Sequence, residues 1–345
     1  MEHEPGADEV YDRQIRLWGV EAQRAITGAR VLLIADMGES LAQEVAKNLV
    51  LAGVGTLLLC THGVDAQAAT RCRGVFGDDV MSFVANMCDM NPLVKHVHSV
   101  VLDDYFVNND CELGAEHPPS VSALYHYDRA GANEPVAPNV VCRVGLLFDL
   151  VALKLARYCR MTGVAYMGGM SFGPFGCFLT DAGENRVYSI EKRELFKGAE
   201  EKIFTVEEAA SFQAFSACRD ARWETAPRRS LAAFFVVQAL EAFEKEHGRL
   251  PSSIDAQHSG DLESFRMMAK QLAQQQGLDD KRVPWDTLDE CSRSAATSMP
   301  LVSAILGGAW AREIIKLVTG QDKPINNFYF FNAKLVHACV ETIRD

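Results

Sequence analysis

Apolar runs and segments with helical apolar spacing alternate along the first half of the chain. The stretch 31–60 reads VLLIADMGESLAQEVAKNLVLAGVGTLLLC, which predicts a buried strand, a tight turn, a helix and a second buried strand. The same criteria predict helices at 79–90 and 146–160, and strands at 96–102, 139–144 and 164–167. This alternation is typical of an α/β fold with a doubly wound, largely parallel sheet.

The second half of the chain has a different pattern, with more helices and fewer strands. The run 172–180 (FGPFGCFLT) predicts a sharp bend into an antiparallel edge strand. Apolar spacing predicts helices at 230–247 and 261–276, and the run 327–331 (NFYFF) predicts a final buried strand. We therefore expect a helical insertion at about 205–298 within the second half.

One more helix is predicted close to the C-terminus. Pro300 is placed to open it and Gly320 to end it. Gly307 and Gly308 predict that its backbone lies close to another helix.

Composition excludes several classes of protein. The 345 residues carry a formal net charge of −12, which argues against nucleic acid or an anionic membrane as the main partner. No run of about 18 apolar residues is present, and the acidic N-terminus lacks the apolar segment of a signal peptide. We therefore expect an intracellular protein, and we expect residues 1–10 to be a flexible N-terminus.

The ten cysteines do not have the spacing of a metal site. No two of them form a C-x-x-C pair, so we predict no metal site in this chain. Most are expected to be reduced, half-buried side chains, because Cys88, Cys142, Cys159 and Cys177 all lie among apolar neighbours.

The first strand–turn–helix unit resembles the start of a nucleotide-binding domain, but its turn is almost without glycine. Gly38 is accompanied by the carboxylates Asp36 and Glu39 where a phosphate would lie. Each carboxylate would repel a triphosphate by about 1 kcal/mol even where solvent partly screens it. A nicotinamide-dependent oxidoreductase needs the glycine fingerprint and an acidic residue after the second strand, and both are missing.

The segment Tyr11–Gly19 (YDRQIRLWG) predicts an amphipathic N-terminal helix. We expect packing of three side chains, Ile15, Leu17 and Trp18. We expect three others to be exposed, Arg13, Gln14 and Arg16. On the residues alone, these charges are interpreted as solvated positions on a helix surface.

Four motifs together carry a resemblance to a known family. They are YDRQIRLWG, AKNLVLAGV at 46–54, MPLVSAILGGAWAREIIK at 299–316 and NNFYFF at 326–331. In this order the chain resembles the activating enzymes of ubiquitin-like proteins, and among them the smaller, regulatory subunits of SUMO-activating enzymes. The resemblance implies a Rossmann-like sheet of the ThiF/MoeB adenylating type and a single pseudo-adenylation domain over 11–345. The segment 103–138, rich in Pro, Gly, Asn and Asp, is expected to be a loop insertion.

In this family one subunit keeps the ATP site and the other has lost it, and the chain resembles the second kind. Cys60 stands where the ribose-binding carboxylate would be expected. The resemblance implies no cofactor bound by this chain, with ATP and magnesium on a larger catalytic subunit. It also implies that Arg13 reaches across the dimer to the γ-phosphate of ATP on that subunit. The partner interface is expected to include the neighbouring residues Gln14, Ile15, Arg16, Leu17 and Trp18.

The implied activity belongs to the complex, and the isolated chain is a pseudo-enzyme in this interpretation. The complex would adenylate the C-terminus of SUMO, form a thioester on the catalytic subunit and deliver SUMO to a conjugating enzyme, mainly in the nucleus and also in the cytoplasm. Regulatory subunits of NEDD8-activating or other ubiquitin-like-protein activating enzymes are the alternative, although they are expected to be longer.

Overall fold

The computed structural model describes residues 7–35, 38–61, 80–94, 96–102, 106, 124–127, 136–194, 202–221 and 232–343. Its helices are α1 (Ala7–Val10), α2 (Asp12–Trp18), α3 (Val20–Gly28), α4 (Ser40–Ala52), α5 (Val80–Met90), α6 (Leu150–Thr162), α7 (Phe215–Asp220), α8 (Ala232–His247), α9 (Asp261–Gln275), α10 (Trp285–Ser294) and α11 (Pro300–Thr319). Its strands are β1 (Arg30–Ile34), β2 (Thr56–Cys60), β3 (His96–Leu102), β4 (Tyr125–Tyr127), β5 (Val140–Val144), β6 (Ala165–Phe172), β7 (Phe175–Asp181), β8 (Arg186–Glu194), β9 (Lys202–Ala210), β10 (Phe328–Asn332) and β11 (His337–Glu341).

Nine of the described strands form one sheet in the order β11-β10-β7-β6-β5-β1-β2-β3-β4. The five central strands, β6, β5, β1, β2 and β3, pair in parallel. Strand order therefore reverses between β1 and β5, as in the doubly wound Rossmann arrangement. The α/β fold with a large, mostly parallel sheet is confirmed, and it is that of the ThiF/MoeB type.

Helices cover both faces of this sheet, and each face has its own apolar core. Consecutive residues of β1 point to opposite sides, so Leu32 joins one core and Leu33 the other. Helices α6 to α10 cover the first face, and α3, α4, α5 and α11 cover the second. This two-sided burial explains why β1 and β2, in the middle of the sheet, are apolar after their first residue.

Helix α11 packs closely on α4, as its glycines predict, but only one glycine is responsible. A Cβ atom added to Gly307 would lie 2.6 Å from the Cβ atom of Glu44, whereas nothing lies within 4 Å of the corresponding position at Gly308. The helix begins at Pro300 and ends before Gly320, as predicted; Gly320 adopts a left-handed conformation with φ 65°.

Two strand predictions were wrong in their position within the sheet. Strand β7 is antiparallel to β6, as predicted, but it is not an edge strand, because β10 pairs with its other side. Strand β10 is not the last one, since β11 follows it and forms the edge. The first correction depends on pairing between segments that are distant in sequence, and the second on a hairpin between β10 and β11.

Two boundary predictions also needed correction. Helix α6 begins at Leu150 and not at residue 146, because the Asp149 carboxylate accepts a hydrogen bond from Ala152 N at 2.8 Å and caps the helix there. The segment 103–138, predicted as a loop, contains β4, which pairs antiparallel with β3. Most of the remaining segment lies outside the described residues.

The region predicted as a helical insertion at about 205–298 starts with the end of β9. Strands β8 and β9 form a separate two-stranded ribbon, and the helices of the region begin at Phe215. Residues 1–6 of the expected flexible N-terminus lie outside the described residues, and Ala7–Val10 form a single helical turn. In the described part of the chain, no helix has both the length and the apolar character needed to cross a bilayer.

Candidate functional site

Tyr11 anchors the N-terminal end of α2, the helix that carries Arg13. Its side chain is buried, and its hydroxyl accepts a hydrogen bond of 2.9 Å from Asn91 Nδ2. The same amide donates to Val50 O at 2.8 Å. The tyrosine ring lies against Gly53, where an added Cβ atom would come within 2.5 Å of it. Helix α2 is therefore fixed on the C-terminal end of α4.

Three glutamines hold the remainder of α2. Gln14 Nε2 donates to Leu51 O at 3.3 Å, and Gln321 Nε2 donates to Trp18 O at 3.0 Å. Gln23 Oε1 accepts a hydrogen bond from Trp18 Nε1 at 3.3 Å. Since these contacts come from α4, α3 and the residue after Gly320, α2 is attached along its length.

The two arginines of α2 differ in their contacts. Arg16 forms an ion pair of 3.0 Å with Asp12 on the same helix. Arg13 is exposed and forms no hydrogen bond or ion pair with the described residues. The chain therefore presents Arg13 as an unpaired cation on a fixed helix.

The apolar residues of α2 pack less completely than predicted. Trp18 is half-buried against the second core, and Ile15 is half-buried. Leu17 is 77% exposed, so the prediction that it packs within the chain was wrong. Its side chain points away from α4, because α2 attaches through Tyr11, Gln14 and Trp18.

Arg13 lies at the opposite edge of the sheet from this chain's own nucleotide-type turn. Helix α4 runs from the turn after β1, at the carboxyl edge, to the start of β2, at the amino edge. Its 13 residues span about 20 Å. Because α2 contacts the last residues of α4, the Arg13 side chain is too far away to reach that turn.

At the carboxyl edge, the turn between β1 and α4 has few features of a phosphate site. Asp36 lies outside the described residues. Glu39 precedes α4 without capping it, and the Ser40 hydroxyl is hydrogen-bonded to those of Ser298 and Ser303, each at 2.7 Å. Cys60, at the end of β2, is buried, and a buried thiol is a poor substitute for a ribose-binding carboxylate.

A charged cluster around the buried Arg143 lies at the same edge, at the end of β5. Arg143 is 6% exposed, and its Nη1 donates to Leu146 O at 2.7 Å. Its Nη2 forms an ion pair with Asp149. Glu241 of α8 accepts a hydrogen bond of 2.9 Å from Phe148 N. Burial raises the pKa of Glu241 to about 8, while the amides of Phe148 and Leu147 oppose this shift.

The cysteines that the sequence singled out lie in surroundings that disfavour the thiolate form. Cys142, Cys159 and Cys177 are fully buried, beyond the half-buried state predicted for them, and Cys88 is half-buried as expected. Burial raises the pKa of all four thiols. Among the described residues, no group of three or more His, Cys, Asp or Glu side chains could hold a metal ion.

Apolar side chains are exposed in two places that flank α4. Around α2 they are Leu17, Val20 and Leu51; on α11 and just before it they are Met299, Leu301 and Ile305. Leu301 is 60% exposed at the start of its helix. Exposed apolar groups of this kind are typical of a surface that a partner covers.

Comparison with known proteins gives a consistent result. No protein-family model matches the chain. SUMO-activating enzyme subunit 1 of Homo sapiens is 27% identical over 359 residues, which cover 96% of this chain and 94% of the human protein. Subunit 1B-1 of Arabidopsis thaliana is 28% identical, covering 94% and 92%, and subunit 1 of Dictyostelium discoideum is 26% identical, covering 94% and 89%. The chain is a homologue of SUMO-activating enzyme subunit 1.

This homology to SUMO-activating enzyme subunit 1 confirms the resemblance found in the sequence motifs. The roles predicted for Arg13 and for the interface residues 14–18 stay predictions. Sequence reasoning missed the pairing of Arg143 with Asp149 and its proximity to Glu241. A charged residue inside an apolar strand, Arg143 in VVCRV, was the signal that could have revealed this cluster.

Proposed function

We propose that the chain is the smaller, regulatory subunit of a heterodimeric SUMO-activating enzyme. The proposal is supported by the names of its relatives, since a subunit 1 implies a second subunit. The partner is a larger catalytic subunit, and SUMO and a SUMO-conjugating enzyme meet this chain only within the complex. We expect the complex in the nucleus mainly, and also in the cytoplasm.

In this proposal ATP and magnesium bind to the catalytic subunit and not to this chain. The supporting features are the buried thiol of Cys60, the Glu39 carboxylate and the engaged hydroxyl of Ser40. The catalytic subunit adenylates the C-terminal carboxylate of SUMO, with release of pyrophosphate, and then carries SUMO as a thioester.

Arg13 is the residue that this chain contributes to the reaction. The observation that carries this proposal is the exposed Arg13 guanidinium, which has no partner among the described residues and lies on a helix fixed at both ends. Arg13 lies about one length of α4 away from the turn between β1 and α4. A phosphate that Arg13 contacts therefore belongs to another subunit. An arginine donates to phosphate oxygens through a planar fork, which suits the γ-phosphate of ATP.

The dimer interface in this proposal includes residues Gln14 to Trp18 and the exposed apolar groups beside them. Leu17 and Leu301 are the most exposed of these groups, and a catalytic subunit would bury them. Obligate interfaces commonly exceed about 2,000 Å² and are rich in apolar contacts.

The test is SUMO- and ATP-dependent pyrophosphate exchange by the purified heterodimer. Arg13→Ala should leave assembly intact and slow exchange by roughly 30- to 1,000-fold, because it removes one charge-assisted phosphate contact from the transition state. Arg13→Lys should recover only part of the rate, since an ammonium group lacks the planar fork.

Arg16→Ala is the matched control, because Arg16 lies on the same helix but is paired with Asp12. It should keep exchange close to the wild-type rate. Wild-type exchange by an intact Arg13→Ala heterodimer would overturn the role of Arg13. Failure to co-purify with any catalytic subunit of a SUMO-activating enzyme would overturn the proposed assembly.

A further inference from the structure

The groove between helices α6 and α7 has the size of a small-molecule site, and the proposed function does not use it. Its volume is about 560 Å³, within the range of roughly 300–1,000 Å³ that is usual for ligand pockets. On α6 the lining residues, from Leu153 to Met161, recur three or four positions apart and therefore share one face of the helix. The opposite wall is formed by Ala214 and by residues of α7.

The two walls of the groove are held together by Asp181, at the end of β7. Its buried carboxylate accepts hydrogen bonds from Arg160 Nη1 of α6 at 2.7 Å and from Phe215 N of α7 at 3.2 Å. Arg160 Nη2 also pairs with the exposed Glu184 at 3.1 Å. The Phe215 ring packs edge-on against Tyr166, with ring centroids 4.9 Å apart. The groove is therefore formed before any ligand enters it, which lowers the entropic cost of binding.

The base of the groove is apolar. Leu153, Ala156 and Phe215 line it and are buried, while Met161 is half-exposed at its rim. A base of this kind binds the apolar part of a ligand, because water leaves both surfaces when they meet.

Two arginines at the rim are able to act on a ligand. The charge of Asp181 is balanced by Arg160, so both of these groups are already engaged. Arg157, from α6, is exposed and forms no hydrogen bond or ion pair within the part of the chain that the structure describes. Arg219, from α7, forms two hydrogen bonds with its neighbour Asp220, but both side chains are about half-exposed, so water or a ligand can replace either partner.

We propose that the α6–α7 groove binds a small organic acid, with its apolar body on the base and its carboxylate at Arg157 and Arg219. A guanidinium group donates strong, charge-assisted hydrogen bonds to a carboxylate. The same arginines disfavour a cationic ligand, and the apolar base disfavours a ligand that is polar throughout. Helix α6 covers one face of the sheet, while α4, which carries α2, covers the other. The proposal is therefore independent of the role of Arg13.

The test compares naphthoate with its neutral analogue naphthylmethanol, substituted at the same ring position, by equilibrium dialysis against the full chain. The two probes share their apolar rings and differ in charge. Naphthoate should occupy one saturable site with a Kd on the order of 0.1 mM. It should bind at least about tenfold more tightly than the alcohol, because only the acid forms charge-assisted hydrogen bonds.

Arg157→Gln should weaken naphthoate binding about tenfold and leave the binding of the alcohol unchanged. Arg219→Gln should weaken it by a smaller factor, because Asp220 competes for this guanidinium. Arg24→Gln is the matched control, since it removes an exposed, paired arginine from α3 on the other face of the sheet. It should leave the binding of both probes unchanged.

A loss of preference for the acid in Arg157→Gln, with the control unchanged, supports the site. Equal binding of the acid and the alcohol by wild type overturns the proposal. The same affinity for naphthoate in wild type and in both groove variants overturns it as well, as does the absence of saturable binding at millimolar naphthoate. Both groove variants change exposed side chains, so their thermal unfolding should match that of wild type and serves as the check that they are folded. None of these results affects the pyrophosphate-exchange test.

Discussion

At the amino edge of the sheet, Arg13 extends into solvent without a partner among the described residues, whereas at the carboxyl edge Arg143 is buried beside two carboxyl groups. Both residues are arginines, and only their surroundings differ. Arg13 lies on a surface helix whose packing residues face the other way, while Arg143 lies in the middle of an apolar strand. The comparison shows that burial and local partners, and not residue type, decide whether an arginine stays exposed at the surface or is held in an internal ion pair.

The largest change in the free energy of unfolding is expected when the buried Arg143 is replaced. Arg143→Met removes the cation and leaves the Asp149 carboxylate without its ion-pair partner. We expect a loss of about 3 kcal/mol in the free energy of unfolding, at the lower end for a buried pair because Asp149 keeps some contact with solvent. Arg16→Met breaks an exposed arginine–aspartate pair and should cost less than about 1 kcal/mol. Equal losses in urea unfolding would show that burial does not distinguish the two pairs.

The sequence predicted the parts of the molecule that depend on local pattern. Apolar runs, the proline and glycine at the ends of α11 and the helical conformation of α2 each depend on neighbouring residues, and the structure agrees with them. The predicted packing of α2 holds only in part, because Leu17 is exposed. The inner position of β7 and the exposure of Leu17 could not be predicted, because each depends on which distant segment packs there. The contact of Glu241 with Phe148 joins residues 93 positions apart, which no local pattern indicates.

The attachment of α2 can be tested at Gly53. Gly53→Ala places a methyl group against the Tyr11 ring at a backbone position with φ 85°. Tyr11 must move, and we expect a loss of about 2–3 kcal/mol in unfolding free energy. Because Arg13 is two residues from Tyr11, pyrophosphate exchange by the heterodimer should also slow although Arg13 is present.

Gly163→Ala is the matched control, since Gly163 also follows a 13-residue helix in a left-handed conformation and has open space around it. It should lower the free energy of unfolding by about 1 kcal/mol, through backbone strain alone, and leave the rate of pyrophosphate exchange unchanged. If the two variants behave alike, the Tyr11 contact contributes nothing to the position of α2.

The effect that is smallest per pH unit concerns the proton on Glu241. Its carboxyl group faces Arg143 and Asp149 next to the β5–α6 turn, Cys177 on β7 and Arg219 on α7. Burial raises its pKa to about 8, above the value of about 4.3 for an unfolded glutamate. Between these values the folded chain holds more protons than the unfolded chain, so stability falls as pH rises towards 8.

Glu241 can lower the free energy of unfolding by at most about 1.4 kcal/mol per pH unit, since one proton is involved. Glu241→Gln keeps a neutral acceptor for Phe148 N and removes the titration, so its unfolding free energy should depend less on pH. We expect wild type to lose stability relative to this variant in urea unfolding from about pH 5 to about pH 8. The unfolding free energy of the Glu246→Gln variant, changed at an exposed position, should depend on pH as that of wild type does. A constant difference between wild type and Glu241→Gln would mean that Glu241 is ionised throughout. The carboxyl edge would then hold a charged cluster with one excess negative charge, in place of a neutral acid beside an ion pair.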